Sequence, residues 1–384
     1  MFRNTLALCT SGLVLGASAA SAQAPVMPSV HHDYRVVTVA EGLEHPWGIA
    51  SLPGGDMLVT ERPGRLRIIR NGSLLLDAVP GVPAVLAQGQ GGLLDVVPHP
   101  DFESNRLIYL SFSKPIEGGE GATTAVVRGR FENDRLTNVE EIFEAVSRGR
   151  GHYGSRIAFD GSGHVFITVG DRQAPSTGDL SAHPAQDLSN HHGTTIRLHD
   201  DGRVPADNPF VGRAGALPEI WSYGHRNAQG LAVHPVTGDV WSNEHGPQGG
   251  DEVNLVKAGL NYGWPVVGYG VNYRSGTAIH EGTHRDDMEA PVHVWVPSIA
   301  ASGMMIYTGT RFPGWQGDMF VGGLAGEQLA RLELDGTRIV NEETLVRGMG
   351  RIRDVRQGLD GYIYLAIDHR GGEPTAIVRL EPAN

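Results

Sequence analysis

The sequence is almost without cysteine: Cys9, near the N-terminus, is the only one among 384 residues. One thiol cannot form an intramolecular disulfide, and it is too few for a zinc–cysteine or iron–sulfur site. Basic residues are also scarce, since 31 Lys and Arg stand against 43 Asp and Glu, which gives a net charge of −12. This acidity argues against a nucleic-acid partner, whose phosphates require basic surfaces. It is compatible with a divalent cation and a small polar substrate.

The first residues have the pattern of an export signal. Arg3 precedes a short apolar stretch at residues 6–17, and small residues follow at 17–22. We predict that residues 1–22 are a Gram-negative-type signal peptide, cleaved after Ala22 or Ala24; the alternative is a buried helix. Cleavage would remove Cys9, exclude thiolate catalysis and make the protein periplasmic or secreted. The apolar stretch is too short to span a membrane, and no later run approaches the required length.

Long segments with helical periodicity are also rare, whereas the 53 glycines and 23 prolines are scattered as turn residues are. One pattern occurs six times: small or apolar residues, a turn containing Pro or Gly and Asp, and an alternating apolar strand. The copies lie at residues 47–59, 93–110, 156–169, 230–241, 304–321 and 354–365.

Each copy predicts two strands joined by a tight turn, in which glycine supplies a positive φ. Repeats of this kind are typical of radial sheets with about four strands to a blade. We therefore predict an all-β fold, a six-bladed β-propeller with four-stranded antiparallel blades, as a single domain over residues 31–384. An array of β-sandwiches is the alternative, and the scarcity of helical periodicity disfavours α/β folds.

Polar, glycine-rich segments between the repeats are candidates for chemistry. His152 lies in Gly-Arg-Gly-His-Tyr-Gly-Ser-Arg at 149–156, and Asp171 lies at the far end of the same hairpin. A histidine with a pKa near neutrality can act as general base, and a carboxylate can orient its ring. The alternative is a structural histidine, one of 17 in the chain.

Two further segments are rich in hydrogen-bond donors. Arg226, Asn227 and Gln229 stand directly before or at a predicted strand, and Arg351 and Arg353 open the last repeat. Arginines at i and i+2 of an extended segment project to the same side and suit an anionic ligand. Ion-paired loops and solvated strand ends are the alternatives.

Oxygen ligands for a metal are concentrated at residues 243–254 and 261–265. This region combines a Gly- and Pro-rich turn with the acidic pair Asp251 and Glu252. Calcium binds mixed shells of carbonyl and carboxylate oxygens. The EF-hand spacing is absent, so spacing alone indicates a metal site only weakly.

Together these segments resemble the soluble pyrroloquinoline quinone (PQQ) dehydrogenases, that is, soluble glucose dehydrogenase and especially the aldose sugar dehydrogenases. The similarity runs in unbroken order from about His45 to the C-terminus. Besides the His152 segment, it rests on His-Pro-Trp-Gly at 45–48, Gly-Gln-Gly-Gly-Leu-Leu at 89–94, Gly-His-Arg-Asn-Ala-Gln-Gly at 224–230, His-Gly-Pro at 245–247 with Asp-Glu at 251–252, Tyr-Gly-Trp-Pro at 262–265 and Arg-Ile-Arg-Asp at 351–354.

The resemblance implies a role for each matching residue. His152 would be the general base, with Asp171 holding its ring and Arg226 stabilising negative charge on the quinone oxygen. The residues that match quinone-holding positions are Gln90, His152, Arg226, Asn227, Gln229, Arg351 and Arg353. The carbonyls of Gly246 and Pro247 match ligands of the calcium beneath the cofactor. Glu252 and Tyr262 match a second, structural calcium site.

The implied activity is PQQ- and calcium-dependent oxidation of an aldose sugar at C1 to a lactone. The electrons would pass to an external acceptor, which is a quinone, a dye or a cytochrome, and the protein would be a monomer or homodimer without a membrane span. The alternatives are a non-catalytic ligand-binding propeller and a calcium-dependent lactonase-like hydrolase.

Two positions depart from the family pattern. Ala325 stands where a lysine is common, and Arg331 is one candidate to supply the missing cation. Gly151 replaces an acidic residue of the glucose enzymes, which favours the aldose branch and leaves the substrate open.

Overall fold

The structure, a computed structural model, describes Met1 and residues 24–383. Within this part of the chain, twenty-four strands form six four-stranded antiparallel sheets. This confirms the predicted six-bladed propeller. Apart from Met1, the predicted signal peptide lies outside the described residues. In residues 24–383, no helix has the length and apolar character needed to cross a membrane.

The strands follow the chain blade by blade, except that β1 (Tyr34–Leu43) belongs to the last blade. Blade 1 contains β2 (Pro46–Ser51), β3 (Met57–Glu61), β4 (Arg65–Arg70) and β5 (Ser73–Leu74). Blade 2 contains β6 (Leu93–Pro98), β7 (Leu107–Pro115), β8 (Ala122–Glu132) and β9 (Arg135–Glu144). Blade 3 contains β10 (Ile157–Phe159), β11 (His164–Val169), β12 (Thr194–His199) and β13 (Ile220–Ser222).

Blade 4 contains β14 (Ala228–Val233), β15 (Val240–Glu244), β16 (Asp251–Val256) and β17 (His293–Trp295). Blade 5 contains β18 (Ala301–Ile306), β19 (Met319–Gly323), β20 (Gln328–Asp335) and β21 (Arg338–Leu345). Blade 6 contains β22 (Arg351–Gln357), β23 (Ile363–Asp368) and β24 (Thr375–Pro382), with β1 outermost. The described helices are short: α1 (Phe102–Asn105) and the 3-10 turns Leu180–Ala182, Pro184–Gln186 and Pro313–Trp315.

The six predicted repeats are the inner hairpins of the six blades. Glycine occupies the left-handed region in their turns, as at Gly163 (φ 85°), Gly238 (φ 78°) and Gly361 (φ 80°). An L-residue with a side chain rarely adopts this conformation, so glycine permits the tight reversal. Blade 2 differs, because α1 connects its hairpin and Arg106 takes the left-handed position (φ 60°).

The ring is closed by hydrogen bonds between the two ends of the chain. β1 pairs antiparallel with β24, so that Tyr34 lies opposite Pro382 and Leu43 lies opposite Thr375. Apolar side chains fill the spaces between neighbouring blades; Phe320 of blade 5, for example, packs in one cluster with Ile352 and Leu365 of blade 6. The inner strands surround a central axis.

Buried charges join three blades near this axis. The Arg156 Nη1 atom of blade 3 lies 2.9 Å from Asp354 Oδ1 of blade 6 and 3.5 Å from Asp95 Oδ1 of blade 2. Arg356 reaches the same two carboxylates at 3.0 and 2.8 Å. Asp354 also accepts a hydrogen bond from the Ile49 N–H of blade 1. These contacts, named here the axial ion cluster, compensate charges that have been removed from water.

Removing one charge of the axial ion cluster will destabilise the fold. We expect Asp354→Asn to lower the free energy of unfolding by about 3 kcal/mol or more, because it leaves Arg156 buried without its nearest carboxylate. The control Asp335→Asn removes an exposed carboxylate that pairs with Arg338, and it should cost less than about 1 kcal/mol. Denaturant unfolding measures both, and equal losses would contradict the role of the cluster.

Candidate active site

The topology brings polar residues from all round the ring to one end of the axis. In an antiparallel hairpin, the start of the first strand and the end of the second lie at the same end of the sheet. A cavity of about 400 Å³ opens at that end. Its wall contains residues directly before inner strands, such as His45 and Asn227, and residues that follow second strands, such as Arg62, His245 and Arg370. Gln90, in the loop before β6, also lines it.

A second cavity of about 550 Å³ shares Gln90 and His245 with the first, so the two are lobes of one site. His152, Asp171 and Arg226 line this second lobe. The segment between β16 and β17 overhangs it through Asn272, Tyr273 and Ile279. We call the first the axial lobe and the second the histidine lobe.

His152 and Asp171 form a buried pair. The His152 Nδ1 atom lies 2.6 Å from Asp171 Oδ1, and the two side chains are 8% and 1% exposed. Asp171 Oδ2 accepts a hydrogen bond of 2.8 Å from the Trp264 indole, and Oδ1 accepts one from the Gln173 N–H. Because the carboxylate only accepts, Nδ1 of His152 carries the proton and Nε2 has a free lone pair on the cavity side.

The backbone of His152 is held from several directions. His152 has φ 44°, and its N–H donates to Gln90 Oε1 at 2.7 Å. Its carbonyl accepts a 2.6 Å hydrogen bond from Arg172, whose guanidinium lies over the Tyr153 ring. A Cβ at Gly170 would lie only 2.1 Å from the His152 carbonyl oxygen. Only glycine therefore permits this close approach.

Burial and charge set the protonation states of the pair. Burial lowers the pKa of His152 below its ordinary value, although Asp171 opposes the effect, so the ring is neutral near pH 7. Burial alone would raise the pKa of Asp171, but His152 and Arg226 hold that pKa below its usual range. A neutral imidazole beside an ionised carboxylate is the arrangement of a general base.

The axial lobe is rich in guanidinium groups. Arg351 and Arg353, predicted to project together, both line it. Arg353 donates to Gln229 Oε1 at 3.0 Å, and burial lowers its pKa to about 9. Gln229 in turn donates to the Gly154 carbonyl and to Asn227 Oδ1. Several buried cations in one cavity favour an anionic ligand.

Arg226 lies where the histidine lobe meets the candidate metal-binding loop at residues 243–254. Its Nη1 donates to the His245 carbonyl at 3.0 Å, and its guanidinium lies 5.1 Å from the centre of the Trp264 ring. Its N–H donates to Glu244 Oε2. The Arg226 Nε atom is buried without a hydrogen-bond partner in the described chain. This donor is left for a bound group.

The four predicted calcium ligands surround one small cavity of about 10 Å³: Gly246, Pro247, Glu252 and Tyr262. Neither the Gly246 nor the Pro247 carbonyl accepts a hydrogen bond from another described residue. A Cβ at Gly246 would lie 2.3 Å from the Gly249 carbonyl oxygen, so the tight turn requires glycine there. The Tyr262 hydroxyl donates to Leu255 O, which leaves its carbonyl as the possible ligand.

A second carboxylate lines this cavity beside Glu252. Glu244 stands directly opposite Glu252 in the β15–β16 ladder, and Asn254 donates to both at 3.0 and 3.3 Å. Burial, reinforced by Glu244, raises the pKa of Glu252 well above its ordinary value. Like charges facing each other in the interior are unfavourable without a cation. In residues 24–383, no cluster of three or more His, Cys, Asp or Glu forms a metal site, so carbonyls would have to complete the shell.

Four site residues were missed or misjudged from the sequence. Arg62, Asp368 and Arg370 line the axial lobe, and their position directly after, or at the end of, a second strand was the signal available. Asp251 was expected to offer oxygen to a metal, but its carboxylate accepts from the Gly246 and Ala301 N–H groups instead.

The suggestion that Arg331 replaces the lysine missing at Ala325 is wrong. Arg331 is buried on β20 within blade 5, where it pairs with Asp318 at 2.6 Å and Glu343 at 2.8 Å. Its guanidinium is thus neutralised inside the blade, away from the axial lobe.

Comparison with known proteins agrees with the fold. The family model described as glucose/sorbosone dehydrogenase matches residues 43–379. The chain therefore belongs to the glucose/sorbosone dehydrogenase family, and its relatives named aldose sugar dehydrogenase and quinoprotein glucose dehydrogenase support an oxidoreductase.

Individual relatives cover nearly the whole chain. Aldose sugar dehydrogenase YliI of Escherichia coli is 42% identical over 358 residues, which is 91% of this chain and 93% of that protein. A crystal structure of a glucose dehydrogenase is 45% identical with a TM-score of 0.84, covering 91% of this chain and 99% of that one. The PQQ-bound aldose sugar dehydrogenase of Streptomyces coelicolor is 29% identical with a TM-score of 0.73, covering 91% and 98%.

The carboxylate of Asp171 stabilises the protonated form of His152, so removing this negative charge should change the pKa of His152 in one direction. We expect Asp171→Asn to lower the pKa of His152 further, because burial then acts unopposed. NMR titration of the histidine rings measures the shift. Asp160→Asn is the control, since it removes the carboxylate beside His164 at 3.0 Å and should leave His152 unchanged. A His152 pKa that stays constant or rises in Asp171→Asn would contradict the electrostatic role.

Proposed function

We propose that the protein oxidises aldose sugars at C1 to lactones with PQQ and calcium, and passes the electrons to an external acceptor. The observation that carries the proposal is the buried His152–Asp171 pair, which opens into the histidine lobe beside the arginine-lined axial lobe. The PQQ-bound relative from Streptomyces coelicolor supports the choice of cofactor. We include in the proposal that residues 31–384 are the catalytic unit and that residues 1–22 direct export to the periplasm or beyond.

The donor set of the site fits PQQ. This compound has three carboxylates, and arginines are the side chains best suited to bind them. Arg351 and Arg353 would hold carboxylates in the axial lobe, and the unpartnered Nε of Arg226 would face a quinone oxygen. The amides Gln90, Asn227 and Gln229 would complete the cradle. When bound, the quinone supplies the acceptor for hydride from the sugar.

The protein's own part in the reaction is proton transfer and positioning. Nε2 of neutral His152 takes the proton of the C1 hydroxyl, while Asp171 keeps the ring oriented and stabilises the imidazolium that forms. The low pKa of His152 keeps this base unprotonated at neutral pH. Arg226, fixed by the His245 carbonyl and the Trp264 ring, supplies positive charge where negative charge develops.

The oxygen-lined cavity beside Arg226 fits calcium. The Gly246 and Pro247 carbonyls would bind an ion at the cofactor, where calcium acts as a Lewis acid. Glu252 and the Tyr262 carbonyl would bind a structural ion, and Glu244 is a further carboxylate within reach. A cation there would relieve the repulsion between Glu244 and Glu252.

Reconstitution tests the reaction. The purified protein with PQQ, calcium, glucose and an artificial electron acceptor should turn over only when both additions are present. His152→Ala should lower the rate by roughly 10²–10⁴, the usual contribution of a general base. The control His284→Ala, which removes an exposed histidine, should keep full activity. The acid limb of the pH–rate profile should lie below the ordinary histidine range, because burial lowers the pKa of His152.

Two outcomes of that assay would reject the proposal. Full activity in His152→Ala would remove this residue from its role. Lactone hydrolysis without PQQ would favour the hydrolase alternative.

Calcium binding is tested by thermal stability. Calcium added to chelator-treated protein should raise Tm, because a ligand that binds only the folded state stabilises it. Glu252→Gln should reduce this increase, since it removes one of the two carboxylates of the cavity. The control Glu281→Gln changes an exposed carboxylate and should keep the whole increase. Equal increases in the two variants would exclude Glu252 as a ligand.

A further inference from the structure

Two arginines of the axial lobe have no part in the function proposed above. Arg62 directly follows β3 of blade 1, and Arg370 follows β23 of the adjacent blade 6. Both line the same cavity as Arg351 and Arg353. Arg370 is exposed and Arg62 is half-buried, so they form the outer part of the wall.

Neither outer arginine forms a salt bridge within the described residues. Arg62 Nη1 donates to the neutral Gly89 carbonyl at 3.0 Å. Exposed arginines without a carboxylate partner also occur elsewhere among the described residues, for example Arg135. The two outer arginines differ from these because both unpaired guanidinium groups lie at the mouth of one cavity, which also contains Arg351 and Arg353.

Arg62 is also held in place. A Cβ at Gly92 would lie 1.9 Å from the Arg62 carbonyl oxygen and 2.5 Å from its Cγ atom. The aliphatic part of the Arg62 side chain thus packs against the backbone at Gly92, at the start of blade 2. Its guanidinium group donates to the Gly89 carbonyl. Holding the side chain in advance reduces the entropy lost when it binds a ligand.

The four arginines repel one another. Arg62 contributes to lowering the pKa of Arg353, and Arg370 contributes to lowering the pKa of Arg351, in both cases after burial as the main cause. The only carboxylate on the wall of this lobe, among the described residues, is Asp368. It is already engaged by His45 at 2.7 Å and by Arg351 at 3.4 Å.

Such a concentration of like charge costs free energy in the empty site, and an anion removes this cost. We propose that Arg62 and Arg370 are binding residues for the anionic cofactor: they attract its carboxylates to the cavity mouth and then hold them at the outer wall. This inference rests on the proposed function, because it assumes a polycarboxylate ligand in the axial lobe.

Attraction of the cofactor and direct contact with it affect different rate constants. Attraction at a distance acts on the association rate and weakens as salt screens it. Direct contact with a carboxylate acts on the dissociation rate. Neither arginine lines the histidine lobe, so cofactor binding is the property to measure.

The experiment measures binding of PQQ to the cofactor-free protein through the fluorescence of Trp47 and Trp264, which line the two lobes. Arg62→Gln and Arg370→Gln should each raise Kd about tenfold, the loss expected for one charge-assisted hydrogen bond. Their association rates should fall at low salt and approach the wild-type rate at high salt. Arg62→Lys, which keeps the charge, should keep most of the association rate.

Arg135→Gln is the matched control. Arg135 is exposed, forms no salt bridge in the described chain and begins β9, at the opposite end of the ring from the site. This variant should bind PQQ as the wild type does. Circular dichroism and Tm establish that all variants are folded.

Each outcome has a distinct meaning. Unchanged Kd and rates in both Gln variants would overturn the inference and leave the proposed function intact. Equal losses in Arg62→Lys and Arg62→Gln at all salt concentrations would overturn the electrostatic attraction. A wild-type protein that binds no PQQ would instead reject the proposed function itself.

Discussion

The axial ion cluster is the interaction on which the rest of the structure depends. Arg156 is fully buried, and Asp95 and Asp354 from two other blades supply its counter-charges. The same side chain donates to the backbone carbonyls of Gln229 at 2.6 Å and Arg353 at 2.9 Å. The cluster thus joins the blades and at the same time fixes the floor of the axial lobe. Fold stability and the geometry of the cationic wall share one set of contacts.

The antiparallel topology explains how residues distant along the chain form one site. Every inner strand begins, and every second strand ends, at the same end of the ring. Polar residues at these positions converge without any need for proximity in sequence, as His45 and Asp368 do at 2.7 Å. The blades provide a rigid support, and the loops provide the chemistry.

Much of this arrangement could be predicted from the sequence. The six hairpins have strong period-two patterns and turn glycines, so their number and pairing follow from local rules. Arg62 and Arg370 were missed because they stand in ordinary-looking turns, and only ring closure makes blades 1 and 6 neighbours. Asp251 and Arg331 were misjudged because their partners depend on packing and strand register: Ala301 lies in the next blade, and Glu343 lies opposite Arg331 on β21. Local chemistry predicts which groups are available, whereas their partners depend on packing.

The pairing of β1 with β24 has a consequence for biogenesis. The outermost strand of blade 6 is made before every other described strand, and its neighbour β24 is made after all of them. The ring of six blades consequently stays open until residues 375–382 have been synthesised. Blade 6 also contributes Arg351, Arg353 and Asp368, so the pocket is incomplete during translation. Synthesis of the chain past residue 382 therefore has to precede assembly of this pocket.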